Sequence, residues 1–469
     1  MSVKEVFGNI VDIENRRIYS GKIIIQNATI VSIEELGPRD IALPYILPGF
    51  IDAHVHIESS LLVPSEFARL AAPLGTVATV SDPHEIANVL GVKGVKYMIQ
   101  DASMVPFKFF FGVPSCVPAT CFETAGTFLF AEDARTLFEE DNLLYLSEMM
   151  NYPGVLQNDP KVMDMLEVAK LLNKPIDGHA PGLRGDDLRK YIEEGITTDH
   201  ECTDYDEALE KIQNGMMVII REGSDAKNFE SLHPLIDQYP DMLMFCSDDK
   251  NCIDLAKGHI NQLVLRALQK GHDLMNVLKI ACINPIKHYH LPVGKLTPGS
   301  AADYIIVKNL ETFEVLETHI DGILVAEDGK SLIAHVPIMP INQFWALKKS
   351  EDEFRVKCTG EKIRVIVTEE GSLKTQSFIV TPLLDEDNVI QCDLDRDILK
   401  VTSVCRYKNQ DPSVAFVKGF GLKKGAIASC IAHDSHNIIA VGTTDEEICR
   451  SVNAIIQNKE ASHSPMVKS

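Results

Sequence analysis

Residues 50–56 read Phe-Ile-Asp-Ala-His-Val-His, a short apolar run that ends in two histidines. Seven more runs of similar length follow before residue 248, and segments of helical period such as PKVMDMLEVAKLLNK (160–174) separate most of them. The seven runs are Thr76–Ser81, Lys108–Val113, Leu143–Ser147, Pro175–His179, Ile196–His200, Met216–Arg221 and Met242–Ser247. Eightfold alternation of strand and helix predicts an α/β fold, a TIM-like (β/α)8 barrel over residues 48–290.

Strand patterns of a different kind flank the predicted barrel. Residues 21–35 alternate apolar and polar side chains around an Asn-Ala turn, which predicts a β-hairpin. Residues 302–325 carry further strand runs interrupted by Gly and Asp-Gly. We therefore predict a small β-sandwich domain built from both flanks, residues 1–47 and 291–340. Residues 341–469 are again rich in strands and predict a separate C-terminal α+β domain.

Composition limits the classes of partner. The formal net charge is −22, and no run of Lys and Arg with interleaved aromatic residues offsets it, so a nucleic acid is not expected as a partner. No uninterrupted apolar stretch approaches the roughly 18 residues of a membrane span, so a soluble protein without a membrane partner is expected. Eleven cysteines without a CxxC pair argue against a disulfide framework and predict a cytoplasmic protein. The sequence does not determine the oligomeric state, and a homodimer is compatible with it.

Histidine and acidic residues fall at the ends of the predicted strands. In a parallel barrel these ends meet at one rim, so residues far apart in the chain form one polar cluster of four imidazoles and two carboxylates. The six predicted metal ligands are His54, His56, Glu148, His179, His200 and Asp248. Burying these groups without a cation would be costly, and imidazole with carboxylate suits divalent ions. We expect Glu148 to bridge two divalent ions, which would lower the pKa of a shared water, and Zn²⁺, Fe²⁺ and Mn²⁺ all suit these ligands.

Asp248 is the expected proton-transfer group, because a carboxylate at the metal rim can take a proton from water and pass it to a leaving nitrogen. We expect Asp248 and Glu148 to be the catalytic residues. The neighbouring Asp249 points to the opposite face if the strand continues, which favours a supporting or helix-capping role.

Further polar residues at the rim are candidates for substrate binding. Asp82, His84 and Glu85 follow the second strand, and the chain has Asn88 where an HExxH zinc motif needs histidine. These three residues are interpreted as substrate contacts or an extra metal site, with a structural loop as the alternative. Arg221 ends the seventh strand and Ser224 comes soon after it. Both are expected to recognise a ring, with an Arg–Glu ion pair as the alternative.

Several motifs resemble a known family. Residues 48–56, Pro-Gly-Phe-Ile-Asp-Ala-His-Val-His, resemble the opening motif of the amidohydrolase superfamily, and GKLTPGSAAD (294–303) resembles its closing motif. More specific stretches resemble adenine deaminases: HIESS (56–60), SDPHEIANV (81–89), SEMMN (147–151), SDD (247–249) and AHDSHN (432–437). The resemblance extends from about residue 20 to residue 457.

This resemblance implies a metal-dependent barrel with a bridging glutamate, the place that Glu148 occupies. It further implies attack of hydroxide on C6 of adenine, proton transfer by Asp248, release of ammonia and a role in purine salvage. Two features depart from the family: Lys250 is followed by Asn251-Cys252 rather than His-Pro, and the third domain stops soon after Ile456, so we expect that domain to be incomplete.

Two rival functions remain open at the level of sequence. Another amidohydrolase, acting on a cyclic amide or an N-acetylated sugar phosphate, would share the metal rim. A sugar phosphate would require basic residues at the pocket, whereas the inferred rim is mainly acidic. A truncated homologue serving as a metal-binding or subunit protein is the non-catalytic alternative, and it would have no need of Asp248.

Overall fold

The computed structural model describes residues 3–370, 373–459 and 462–463. The chain forms two compact units. The first unit contains the described residues up to His84 together with Val92–Cys116 and Leu129–Met339. The second contains Glu85–Gly91, Val117–Phe128 and the described residues from Pro340 onward. Two short segments from the barrel part of the sequence thus belong with the third domain.

One sheet of the first unit combines strands from both flanks of the barrel. Its early strands are β1 (Val3–Asp12), β2 (Arg17–Gln26), β3 (Thr29–Pro38) and β4 (Tyr45–Pro48). Its late strands are β13 (Tyr304–Val307), β14 (Val315–Ile320), β15 (Ile323–Glu327) and β16 (Lys330–Ser331). The strand order is β16-β15-β14-β13-β4-β1-β2-β3. Antiparallel pairing of β4 with β13 joins the two ends of the chain segment, and alternating apolar residues such as Ile23 and Ile25 form the buried face.

The barrel strands lie between these two sets. They are β5 (Phe50–Val55), β6 (Thr76–Ser81), β7 (Lys108–Phe111), β8 (Leu146–Met149), β9 (Ile176–Gly178), β10 (Thr198–Asp199), β11 (Met217–Arg221) and β12 (Leu243–Cys246). All strand pairs formed among β5, β6 and β7, between β8 and β9, and among β10, β11 and β12 are parallel. A bridge between Val113 and Leu146 continues the ring, and a parallel bridge between Val55 and Asp248 closes it. The predicted (β/α)8 barrel is therefore present.

Helices connect the barrel strands. They are α1 (Pro64–Ala71), α2 (His84–Leu90), α3 (Val92–Ala102), α4 (Ala131–Glu140), α5 (Tyr152–Leu156), α6 (Pro160–Leu171), α7 (Gly185–Glu193), α8 (Tyr205–Gln213), α9 (Phe229–Leu232), α10 (Cys252–Lys257), α11 (Ile260–Gln269), α12 (Leu274–Leu278) and α13 (Asn284–Tyr289). Capping side chains mark the start of some of these helices. At the beginning of α8, for example, the Asp204 side chain accepts a hydrogen bond from Glu207 N. Among the described residues, no helix is both long and apolar enough to span a membrane.

The second unit has its own sheet and core. Its strands are β17 (Ile363–Val367), β18 (Gln376–Val380), β19 (Leu383–Leu384), β20 (Ile390–Gln391), β21 (Leu399–Val404), β22 (Ser413–Lys418), β23 (Ala426–Ser429), β24 (Ile438–Gly442) and β25 (Ser462–His463), and its long helix is α14 (Asp445–Asn458). The main sheet has the order β18-β17-β22-β21-β24-β23-β25. One face of α14, including Ile448 and Val452, packs in a core with Phe354 and Ile438. Strands combined with a packed helix agree with the predicted α+β class.

Candidate metal centre

The carboxyl ends of the barrel strands carry the predicted ligands. His54 lies near the end of β5 and His56 directly follows it, while Glu148 lies near the end of β8. His179 and His200 directly follow β9 and β10. Asp248 comes two residues after β12, and its backbone N donates a hydrogen bond of 2.9 Å to the His54 carbonyl oxygen. Closure of the barrel therefore brings the first and last strands, with their ligands, side by side.

The first part of the cluster is formed by His54, His56 and Asp248. The two Nε2 atoms lie 3.1 Å apart. Asp248 Oδ1 lies 3.6 Å from His54 Nε2 and 3.2 Å from His56 Nε2. All three side chains are buried. Two imidazole nitrogens and one carboxylate oxygen thus face a common point.

Glu148 lies between this group and the remaining histidines. Its Oε1 is 3.2 Å from His56 Nε2. Its Oε2 is 2.7 Å from His179 Nδ1 and 3.2 Å from His200 Nε2. One buried carboxylate therefore has imidazoles at both of its oxygens, the arrangement required of a ligand that bridges two cations.

The donor set fits divalent metal ions. His56 Nδ1 lies 3.0 Å from the Asp82 carbonyl oxygen, and donation of its proton to that oxygen leaves Nε2 as an electron-pair donor facing the cluster. His54 Nδ1 is buried and has no hydrogen-bond partner among the described residues. Facing nitrogens and carboxylate oxygens at these separations are suited to coordination by a cation. The cluster is therefore a metal-binding arrangement of His, Asp and Glu side chains.

The electrostatics of the cluster favour positive charge. Burial by itself would lower the pKa of His200, but the hydrogen bond and the charge of Glu148 outweigh it and raise that pKa to about 9. Burial would raise the pKa of Glu148, yet His179, His200 and His56 hold it well below its usual range. The Glu148 carboxylate is thus ionised at neutral pH.

Asp82 and His84 adjoin the cluster. His84 Nδ1 lies 3.0 Å from Asp82 Oδ2 and 3.5 Å from Glu148 Oε1, and both side chains are buried. His56, Asp82, His84 and Glu148 together form a further group that could hold an ion. The geometry of Asp82 and His84 is therefore compatible with a substrate contact and with an extra metal site.

Glu85 belongs to the second unit and is bound by the AHDSHN segment. Its Oε1 lies 2.9 Å from His433 Nδ1, and its Oε2 lies 3.2 Å from His436 Nε2. The segment is itself anchored within that unit, because Ser435 Oγ donates to Glu123 and Asn437 Nδ2 donates to the Thr124 carbonyl oxygen. Residues of the SDPHEIANV and AHDSHN stretches thus contact each other within the second unit.

Arg221 at the end of β11 and Ser224, three residues later, make contacts of two different kinds. Arg221 is buried, and its Nη1 donates to Asp248 Oδ2 over 2.6 Å. Its guanidinium group also donates to both oxygens of Glu201. Arg221 therefore forms the Arg–Glu ion pair that was the alternative prediction, and its partner is Glu201. Ser224 Oγ donates to Asp254 over 2.8 Å. Arg221 therefore touches the cluster, whereas the hydroxyl of Ser224 is engaged by α10.

Glu201 is a rim residue that sequence reasoning missed. Its Oε1 lies 3.6 Å from His179 Nδ1 and 3.5 Å from His200 Nε2. Alternation along a strand would point it away from His200, but β10 ends at Asp199 and the rule no longer applies. Asp249 was expected to support the site or cap a helix, and its Oδ1 accepts a hydrogen bond of 2.5 Å from Ser59.

Two family models match this chain. Residues 45–325 match the Amidohydrolase family, and residues 372–459 match the Adenine deaminase C-terminal domain. The adenine deaminase of Sulfurovum sp. (strain NBC37-1) is 52% identical over 97% of this chain and 83% of its own length. This chain belongs to the adenine deaminase family.

Other adenine deaminases are similarly close. That of Salinibacter ruber is 50% identical over 96% of this chain and 83% of its own length, and that of Methanosarcina mazei is 50% identical over 97% and 84%. Among solved structures, a β-aspartyl dipeptidase from Fervidobacterium islandicum AW-1 has a TM-score of 0.53 at 17% identity and covers 72% of this chain and 100% of its own. That likeness concerns the fold alone.

Proposed function

We propose that this protein catalyses the hydrolytic deamination of adenine, in which adenine and water give hypoxanthine and ammonia for purine salvage. The observation that carries the proposal is the Glu148 carboxylate, buried with imidazoles at both oxygens and with Asp248 close by. Membership of the adenine deaminase family supports adenine as the small-molecule substrate. The rival readings, a different amidohydrolase and a non-catalytic homologue, have no comparable support.

The proposed cofactor is a pair of divalent ions. His54, His56 and Asp248 would hold one ion, His179 and His200 the other, and Glu148 would be shared between them. Mn²⁺ and Fe²⁺ are the proposed metals, and Zn²⁺ suits the same donors. When bound, such ions lower the pKa of water and supply hydroxide near neutral pH.

Asp248 is the proposed proton carrier. Burial would raise its pKa, but His54, His56 and Arg221 hold the pKa well below its usual range, so the group is an ionised acceptor. It accepts a proton from the water that adds to C6 of adenine. It then donates a proton to the amino nitrogen on C6, which leaves as ammonia when the C–N bond breaks.

Recognition of the purine ring is assigned to the neighbouring polar residues. Asp82 and His84 lie beside Glu148 and offer a carboxylate and an imidazole to ring nitrogens. Glu85 and Ser224 remain predicted substrate contacts from the sequence. Arg221 was predicted to have the same role, but both of its terminal nitrogens donate to carboxylates, those of Asp248 and Glu201.

Cellular context is likewise a proposal. All eleven cysteines are free thiols, which supports a reducing cytoplasm. The net charge of −22 supports the absence of nucleic-acid partners. We propose no membrane partner, and a homodimer as the form to be tested in solution.

The test is direct assay of the purified, Mn²⁺- or Fe²⁺-loaded protein with adenine, with hypoxanthine and ammonia measured separately. We expect the two products in equal amounts. Asp248→Asn should keep most of the metal, because four imidazoles and Glu148 remain, and should lose at least about 100-fold in turnover. Failure of the loaded wild-type protein to release ammonia would refute the function, and wild-type turnover in the variant would remove Asp248 from the proton path.

A further inference from the structure

Arg221 forms a buried bridge between two carboxylates at the rim. Its Nη1 donates to Asp248 Oδ2 over 2.6 Å, and Nη1 and Nη2 bond the two oxygens of Glu201, with Nη2 at 3.0 Å from Oε2. The side chain of Arg221 is 7% exposed, and that of Glu201 is 12% exposed. A forked guanidinium held on both sides in this way has a fixed plane.

The two oxygens of Asp248 consequently have different surroundings. Oδ1 faces His54 Nε2 and His56 Nε2, whereas Oδ2 faces Arg221. A carboxylate without the second contact could rotate about its last bond and exchange the two oxygens. The contact with Arg221 therefore selects which oxygen points toward the cluster.

The backbone around this bridge is also fixed. Asn228 Oδ1 accepts a hydrogen bond of 2.7 Å from Arg221 N. Asn228 Nδ2 donates to the carbonyl oxygens of His200, at 3.1 Å, and of Cys202, at 3.0 Å. One buried amide thus ties the end of β11 to the segment that carries Glu201. The backbone positions of Arg221 and of the residues flanking Glu201 are therefore both held by Asn228.

We propose that Glu201 and Arg221 are positioning residues for Asp248, holding its Oδ2 so that Oδ1 alone serves proton transfer. The inference rests on the proposed deamination and assigns a role to Glu201 and a new role to Arg221. Since both terminal nitrogens of Arg221 are engaged by carboxylates, the guanidinium group sets the orientation of Asp248 rather than reading the substrate. Because proton transfer depends on a group within hydrogen-bond reach, loss of this orientation affects the chemical step more than binding.

The experiment compares Arg221→Ala and Glu201→Gln with wild type on adenine, with metal content measured for each protein. We expect Arg221→Ala to lower kcat by roughly 100-fold and to change KM by less than about threefold. Glu201→Gln, which keeps the shape but not the charge, should lower kcat by about tenfold. Both variants should retain the metal content of wild type, and free guanidinium ions should partly restore kcat of Arg221→Ala while sodium ions at equal concentration should not.

Arg184→Ala is the matched control, because Arg184 Nη2 donates to both oxygens of Asp204 on an exposed surface. It should behave as wild type in every assay. A rise in KM of Arg221→Ala with unchanged kcat would overturn the inference in favour of substrate reading, and loss of metal or wild-type kinetics would overturn it as well. Wild-type protein inactive on adenine would instead defeat the proposed function, so the two failures are distinguishable.

Discussion

At the residue scale, His288 shows how burial sets a charge state away from the metal centre. Its Nε2 lies 3.2 Å from Thr197 Oγ1, and the residue lies in α13 beside the barrel. Burial, with a smaller contribution from His290, lowers the pKa of His288 from 6.5 to about 4. The folded protein therefore holds this imidazole neutral at a pH where the unfolded chain binds a proton.

His288 predicts a pH dependence of stability with a definite sign. Between pH 6.5 and about 4 the unfolded state binds more protons, so the stabilisation present above pH 6.5 is lost as the pH falls through this window. The loss from this group is at most about 1.4 kcal/mol per pH unit. His288→Gln should flatten that slope in thermal or urea unfolding followed from pH 7 to pH 4. An unchanged slope in the variant would show that the neutral imidazole is not responsible.

At the scale of elements, a buried lysine joins the two strand ends that carry His179 and His200. Lys211 of α8 donates to the Ala180 carbonyl oxygen at 2.7 Å, to Asp199 at 3.0 Å and to Glu207 at 2.8 Å. Asp199 in turn accepts a hydrogen bond of 2.8 Å from Ala180 N. The side chains of Lys211, Asp199 and Glu207 are almost fully buried, so each depends on the others.

Lys211→Met should therefore destabilise the barrel strongly. The substitution leaves Asp199 and Glu207 buried without their cation, at an expected cost of about 3 to 5 kcal/mol in the free energy of unfolding. Chemical denaturation followed by circular dichroism measures this change. Lys190→Met on α7 is the control, since the Lys190 side chain is 62% exposed, and it should shift stability by no more than about 0.5 kcal/mol. Equal effects of the two substitutions would contradict the role of the buried network.

The elements of the barrel could be predicted because apolar runs alternate with helical segments, and strand ends are where such folds place reactive groups. That rule alone predicts the six candidate metal ligands, His54, His56, Glu148, His179, His200 and Asp248. Glu201 could not be predicted in this way, because the direction of its side chain depends on where β10 ends. Nor does any local pattern reveal that Arg221 pairs with Glu201 rather than with the adjacent Glu222, which contacts Arg266 over 2.6 Å.

At the scale of the whole molecule, the division into units does not follow the order of the sequence. Glu85–Gly91 and Val117–Phe128 lie inside the amidohydrolase match, yet they pack with the third domain. Within that unit, Gly126 N donates to the Asn88 carbonyl oxygen over 2.7 Å, and Glu85 is held by His433 and His436. Contacts between residues about 350 positions apart carry no periodic signal, so only the folded structure shows them.

One buried cluster at the barrel rim is proposed to hold two divalent ions that support deamination. Metal-free protein prepared with a chelator should have no activity on adenine, and activity should return as Mn²⁺ or Fe²⁺ is added, reaching its maximum at two ions per chain. Metal content measured in the same samples fixes the ratio. Full activity in the metal-free protein, or a maximum at one ion per chain, would contradict the account.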